Sequence, residues 1–173
     1  QKCIRCGACV RACPTGALQP ALLEAGLEGV WSPVLAPRLG YCDYACNTCG
    51  TVCPVEAIPR LSLADKRQQV IGNAEIDRQR CLAWSGQSAC IICEEMCPVP
   101  NKAITLEITT VVSPNGEPLV MQTPVVHPRR CIGCGICEYK CPAVVTAVEG
   151  AAAIRIYAVA SEVQGSGERL RSP

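Results

Sequence analysis

Phenylalanine is absent from this 173-residue chain, and histidine occurs once, at His127. Two Trp and four Tyr are its only aromatic bulk. Something else must fill the interior, because aromatic anchors ordinarily supply a large share of buried core area. A single histidine leaves almost no room for a Cys/His zinc site or for a Ser/His/Asp catalytic set. A strong charge of either sign is missing too. The formal net charge is +1, so no strong field draws the chain to nucleic acid or to a membrane surface. No stretch approaches the roughly 18 apolar residues of a membrane span. No signal peptide is visible, nor a phosphate-cradling glycine loop or flavin fingerprint. These absences leave no nucleic-acid partner, no small-molecule substrate and no catalytic residue to assign in this stretch.

What the chain has is sulfur. Sixteen Cys fall in four tight groups of four, separated by long Cys-free stretches, with fourteen Gly and fourteen Pro among the loops. The first group is Cys3-x2-Cys6-x2-Cys9-x3-Cys13-Pro14, and the fourth, Cys131-x2-Cys134-x2-Cys137-x3-Cys141-Pro142, has identical spacing. The second, Cys42-x3-Cys46-x2-Cys49-x3-Cys53-Pro54, is one residue longer at its start. The third, Cys81-x8-Cys90-x2-Cys93-x3-Cys97-Pro98, carries an insertion after its first Cys. A disulfide framework predicts scattered cysteines, and zinc knuckles come as two well-separated pairs. Four copies that each close on Cys-Pro fit neither.

The run C-x2-C-x2-C-x3-C-P resembles the bacterial ferredoxin signature. In that signature three thiolates of one loop converge on a cubane, and the fourth ligates the other cluster of a two-cluster module. Proline after the last Cys holds that Cys extended and removes a backbone donor. Glycines inside the loops (Gly7, Gly50, Gly133, Gly135) let the backbone turn closely, and the N–H groups so exposed can donate to cluster sulfurs. The expectation is four [4Fe–4S] clusters, with all sixteen Cys as metal ligands. Consecutive pairing of groups assigns Cys3, Cys6, Cys9 and Cys53 to one cluster, and Cys42, Cys46, Cys49 and Cys13 to the next. It gives Cys81, Cys90, Cys93 and Cys141 to a third, and Cys131, Cys134, Cys137 and Cys97 to the fourth. The rival is nested pairing, first group with fourth and second with third, as in the electron-transfer subunits of molybdoenzymes. One internal clue favours consecutive pairing. The Ala-apolar pair after the closing Cys lies four and five residues on in the first two groups (Ala17-Leu18, Ala57-Ile58). It lies six and seven on in the last two (Ala103-Ile104, Ala147-Val148).

Flanking sequence predicts the strands of such modules. Ala74–Asp77 leads into Cys81, and residues 103–108 alternate apolar and polar as they leave the third group. Ser113-Pro114-Asn115-Gly116 turns the chain, Val125-Val126 leads into Cys131, and Ala153–Tyr157 is the exit strand. The first half is less regular, with a strand expected over Val30–Leu35 and Ala57-Ile58 leaving the second group. Leu61–Asn73 reads as a linker with one or two helical turns. The predicted architecture is therefore α+β, small and loop-rich: two tandem 2[4Fe–4S] ferredoxin-like modules, residues 1–70 and 71–160, with a flexible tail over 161–173.

Four other features invite functional readings. His127 could ligate iron, although sixteen Cys already suffice and a strand-end role is simpler. Trp84, inside the insertion, either shields a cluster or packs its loop. Arg5 and Lys140 could raise cluster potentials through charge, and Glu94-Glu95 could lower one or dock a basic partner.

The third group, Cys81-Leu82-Ala83-Trp84-Ser85-Gly86 followed by Cys90-Ile91-Ile92-Cys93-Glu94-Glu95-Met96-Cys97-Pro98, is similar to the ferredoxin-type proteins of periplasmic nitrate reductase and methylamine utilisation systems. That resemblance runs from Cys3 to about Tyr157 and implies electron transfer between a membrane quinol-oxidising partner and a terminal enzyme. Related polyferredoxin regions follow membrane segments in longer polypeptides, so the opening Gln1-Lys2-Cys3 predicts an upstream segment. The implied partners are redox proteins, with a membrane subunit or upstream membrane segment among them. Cluster loading needs a reducing compartment, which favours the cytoplasm and leaves later export open. The competing class is an accessory or structural iron–sulfur protein that assists assembly of a partner enzyme.

Overall fold

The computed structural model describes residues 2–23, 26–146 and 151–159. The expected Ala147-Val148 pair and the 161–173 tail lie outside them. Among these described residues, three two-stranded antiparallel sheets and six short helices carry the loops. Each Cys group contains one helical turn: α1 (Ala8–Ala12), α2 (Thr48–Thr51), α4 (Ile92–Glu95) and α5 (Ile136–Tyr139). The third Cys of each group (Cys9, Cys49, Cys93, Cys137) sits on that turn, and the fourth lies at or just past its end. These helices stop where Cys-Pro requires it, since the residue before proline is pushed out of the helical region. Cys13, which closes α1, is extended at φ −73°, ψ 112°.

In the second half β3 (Asn73–Ile76) pairs with β6 (Ile154–Tyr157), while β4 (Ile104–Val112) and β5 (Pro118–Val126) form a hairpin closed at Ser113–Gly116. The turn demands φ +84° at Gly116, which glycine adopts without steric cost. The hairpin runs longer than the alternation over 103–108 predicts. Beyond Ile108 it pairs up to Val112 with Pro118, and its far end is exposed. In the first half β1 (Leu18–Pro20) pairs with β2 (Pro33–Leu35). The strand expected from Val30 begins only at Pro33. A 3-10 turn at Leu27–Gly29 and a left-handed Trp31 (φ +66°) take up the residues before it. Ala57 and Ile58 form no strand. Between the halves, α3 (Leu63–Lys66) is one helical turn capped by Ser62, whose Oγ accepts from the Asp65 N–H at 3.1 Å. Lys66 Nζ donates to the Asp43 carbonyl, and Asn47 Nδ2 to Leu61 O at 2.8 Å, tying the linker to the second Cys loop.

The interior answers the missing aromatics with alanine and cysteine. Ala17, Ala21, Ala83, Ala103, Ala143 and Ala151 to Ala153 are all buried, as are six of the sixteen Cys: Cys9 in the first half and Cys81, Cys97, Cys131, Cys134 and Cys137 in the second. Ala74, Ala103, Ile104 and Ile154 close one cluster with Cys97, Cys131 and Cys137, and Ala83, Ala143 and Ala153 close another around Cys81. Small side chains allow backbone to approach the thiols closely.

Trp84 is the largest side chain against that second cluster. Its Nε1–H donates to Pro124 O at 2.9 Å, and the Arg78 guanidinium lies 4.0 Å from its ring centroid. It therefore pins the 81–90 insertion to the hairpin and also borders Cys81. Trp84→Ala is expected to cost about 2–3 kcal/mol, below the range for a fully buried Trp because this one is half-buried. Trp84→Phe should recover most of that. Anaerobic denaturant unfolding of the iron-loaded chain checks both.

Candidate metal centres

All sixteen Cys are free thiols, and they gather in quartets that cross between loops. One cavity of about 270 Å³ is lined by Cys3, Cys6, Cys9 and Cys53. A second, about 390 Å³, is lined by Cys13, Cys42, Cys46 and Cys49. Cys97, Cys131, Cys134 and Cys137 line a narrower third cavity. Cys81, Cys90 and Cys141 gather around Cys93 closely enough to repel its thiolate, and Cys90 and Cys141 act on Cys81 in the same way. The helical turns bring this about: α1 packs on α2 and α4 on α5, so the last Cys of each loop swings towards its neighbour's.

Electrostatics explains why such quartets need a cation. Burial pushes the Cys93 thiol up to about 12, with further repulsion from Cys81, Cys90 and Cys141. Burial likewise raises Cys134 to about 11 and lifts Cys137 higher still. Cys9, Cys49 and Cys81 are raised too, again chiefly by burial. Four thiolates in one such pocket are sustainable only against positive metal, whose binding then releases protons. Among the described residues no group of three or more His, Cys, Asp or Glu is drawn close enough to hold one metal ion. A single tetrahedral zinc with bonds near 2.3 Å would hold its sulfurs roughly 3.8 Å apart, whereas a cubane spreads its four thiolates wider.

Some closing cysteines are treated differently. Cys13 is also pushed up by burial, but the Thr15 hydroxyl and the N–H groups of Leu18, Thr15 and Ala17 outweigh it and the net shift is downward. Cys53 is lowered, led by the Ile58 N–H. Cys97 Sγ accepts from Ala103 N–H at 3.3 Å, and Cys141 Sγ from Ala153 N–H at 3.4 Å. These are donors of the kind that stabilise a charged sulfur and tune a cluster. Ala17-Leu18, Ala57-Ile58 and Ala103 thus reach the sulfurs that close their groups. Among the described residues, the donor to Cys141 is Ala153, twelve residues on. The hydroxyls of Thr15 and Thr48, 3.5 Å from Cys13 Sγ and 3.3 Å from Cys46 Sγ, escaped the sequence reading. A threonine two residues after a cysteine was the signal for both.

The other singled-out residues find ordinary partners. His127 Nε2 lies 2.8 Å from Thr105 Oγ1. Lys102 Nζ bridges to the Glu94 carboxylate at 3.8 Å and donates to the carbonyls of Glu94 and Glu95. Lys140 stacks over Tyr139. Arg5 contributes its backbone N–H to Cys3 Sγ at 3.4 Å. Glu138 was not foreseen. It is buried beside Cys137, burial holds its carboxyl above the usual range, and Oε2 accepts from the Ile156 N–H at 2.7 Å. Glu138→Ala leaves that N–H unpaired and should cost about 1–3 kcal/mol. Glu138→Gln keeps an acceptor oxygen and should retain most of the stability, as read by the same anaerobic unfolding.

Repeated Cys-Pro loops, single helical turns bearing the third Cys, and crossed quartets define an iron–sulfur protein of the ferredoxin type. A 4Fe–4S binding domain family matches residues 1–19 and 124–145. The chain is 37 % identical over 177 residues to the methylamine utilization ferredoxin-type protein MauM of Methylorubrum extorquens, covering 99 % of this chain and 71 % of that protein. It is 34 % identical over 140 residues to the ferredoxin-type protein NapG of Haemophilus influenzae, covering 80 % of this chain and 49 % of that one. The MauM of Paracoccus denitrificans is 36 % identical over 160 residues, with 89 % and 63 % covered. The chain therefore belongs to the MauM and NapG family of ferredoxin-type proteins, and it spans about half to seven-tenths of the length of these relatives.

Proposed function

We propose that this chain holds four [4Fe–4S] clusters on two ferredoxin-like modules and carries electrons between a donor and an acceptor protein. Iron–sulfur electron transfer follows from the family. The count of four and the ligand sets rest on one observation: the thiols gather as Cys3/6/9/53, Cys13/42/46/49, Cys81/90/93/141 and Cys97/131/134/137. That grouping favours consecutive over nested pairing. When bound, each cubane supplies a one-electron couple. The chain's own residues do the rest. Cysteine thiolates bind iron, the N–H groups of Ala103, Ala153, Leu18 and Ile58 stabilise charge on the closing sulfurs, and the alanine-lined interior excludes water.

In this reading the module boundary falls in the α3 linker near residue 70, and the partners are redox proteins of a quinol-linked oxidoreductase system. Loading takes place in a reducing compartment. No helix among the described residues is long and apolar enough to cross a membrane, so membrane contact would come through a partner or another segment. Stepwise reductive titration of the anaerobically loaded chain, followed by visible bleaching and low-temperature EPR, tests the role. Reversible reduction of every cluster is expected. Clusters that resist reduction would favour the accessory role instead.

A further inference from the structure

The two halves meet along a seam made by the second and fourth Cys loops. The Cys42 N–H donates to the Cys134 carbonyl at 2.7 Å, joining the two loops backbone to backbone. Beside it Ile71 N–H donates to Ile132 O at 3.0 Å. A Cβ on Gly135 would stand 2.9 Å from Pro37, and Tyr41 meets Tyr139 at 5.5 Å between ring centroids. Cys134 also lines the cavity of the second quartet. Within the halves, packing of α1 on α2 joins the first quartet to the second, and packing of α4 on α5 joins the third to the fourth. All four Cys of the fourth quartet are buried, those of the second are half-buried, and the first includes the exposed Cys6.

Resting on the four-cluster reading, we propose that the quartets form one unbranched line in the order first, second, fourth, third, with Cys42 and Cys134 at its midpoint. Sequence order is thus not spatial order: the third group, with its insertion, is an end and not an interior step. One electron accepted at an outer quartet from a one-electron donor protein is matched by one given up at the other outer quartet to an acceptor protein. The chain then returns to its starting state. Donor and acceptor therefore engage opposite ends of the line, one beside Cys6 and the other beside Cys90.

The order is readable in spin coupling, because only neighbouring reduced clusters interact strongly. Two variants of the loaded chain are compared by low-temperature EPR after full reduction with titanium(III) citrate. Cys137→Ser empties the fourth site and should leave a coupled pair plus one uncoupled spin from the third. Cys90→Ser empties the third and should leave three coupled spins with no uncoupled component. The opposite pattern, or the same pattern in both variants, overturns the order. Should either variant fail to retain about twelve irons, hydrogen exchange on the unaltered loaded chain decides. The Cys42 amide should exchange only with global unfolding, and rapid exchange there overturns the seam. An unaltered chain that loads fewer than four clusters sinks the four-cluster reading itself, whereas full loading with the wrong coupling sinks only the order.

Discussion

Replacing Gly133 by valine is expected to destabilise the loaded chain by on the order of 3–5 kcal/mol and to strip iron from the fourth quartet. Gly133 sits between Cys131 and Cys134 at φ +72°, in the left-handed region that β-branched residues avoid. A Cβ there would lie 2.3 Å from the Gly72 nitrogen and 2.4 Å from its oxygen. Those are backbone atoms, held in place because β3 begins at the next residue and Ile71 is bonded to Ile132, so neither side can yield. Relief would require opening the contact between linker and loop. Gly116 provides the control. It too has positive φ, but nothing lies within 4 Å of its would-be Cβ, so Gly116→Ala should cost only about 1 kcal/mol of backbone strain. Anaerobic unfolding with iron analysis of both variants checks the pair. Equal losses would mean that the close approach contributes nothing.

Removing the Cys13 thiol should free cysteines of another loop and not of its own. With Cys13→Ala, the second quartet loses a ligand, so Cys42, Cys46 and Cys49 should become alkylatable by iodoacetamide in the native protein. Cys3, Cys6 and Cys9 should stay protected, because their fourth partner is Cys53. Iron should fall by about four per chain. Peptide mass spectrometry after alkylation reads the pattern directly. Under nested pairing the freed set would be Cys131, Cys134 and Cys137. Label on Cys3, Cys6 and Cys9 alone would mean that the closing Cys serves its own loop.

The sequence carried the site further than it carried the fold. Cys-Pro spacing is a local pattern, and each quartet needs only that two loops lie side by side. The strands at Asn73–Ile76 and Ile154–Tyr157 were legible to within a residue from short apolar runs beside the Cys groups, and β4 as far as Ile108 because alternation with a solvated face leaves a period-2 trace. The 3-10 turn at Leu27–Gly29 and the left-handed Trp31 left none, since an irregular loop is fixed by its tertiary neighbours. The seam was also hidden. Gly133 and Gly135 read as loop glycines, and nothing in their spacing tells that Gly72 and Pro37 press against them. Ala153 shows the same limit from the other side. Its N–H reaches Cys141 from twelve residues away, and no spacing within the Cys loops marks it.

Iron and acid-labile sulfide per chain, measured on anaerobically purified and loaded protein, test the central claim most directly. Four filled quartets predict about sixteen irons and about sixteen sulfides per chain. A plateau near eight of each, under conditions that saturate loading, would contradict the account and leave two of the quartets as structure without metal.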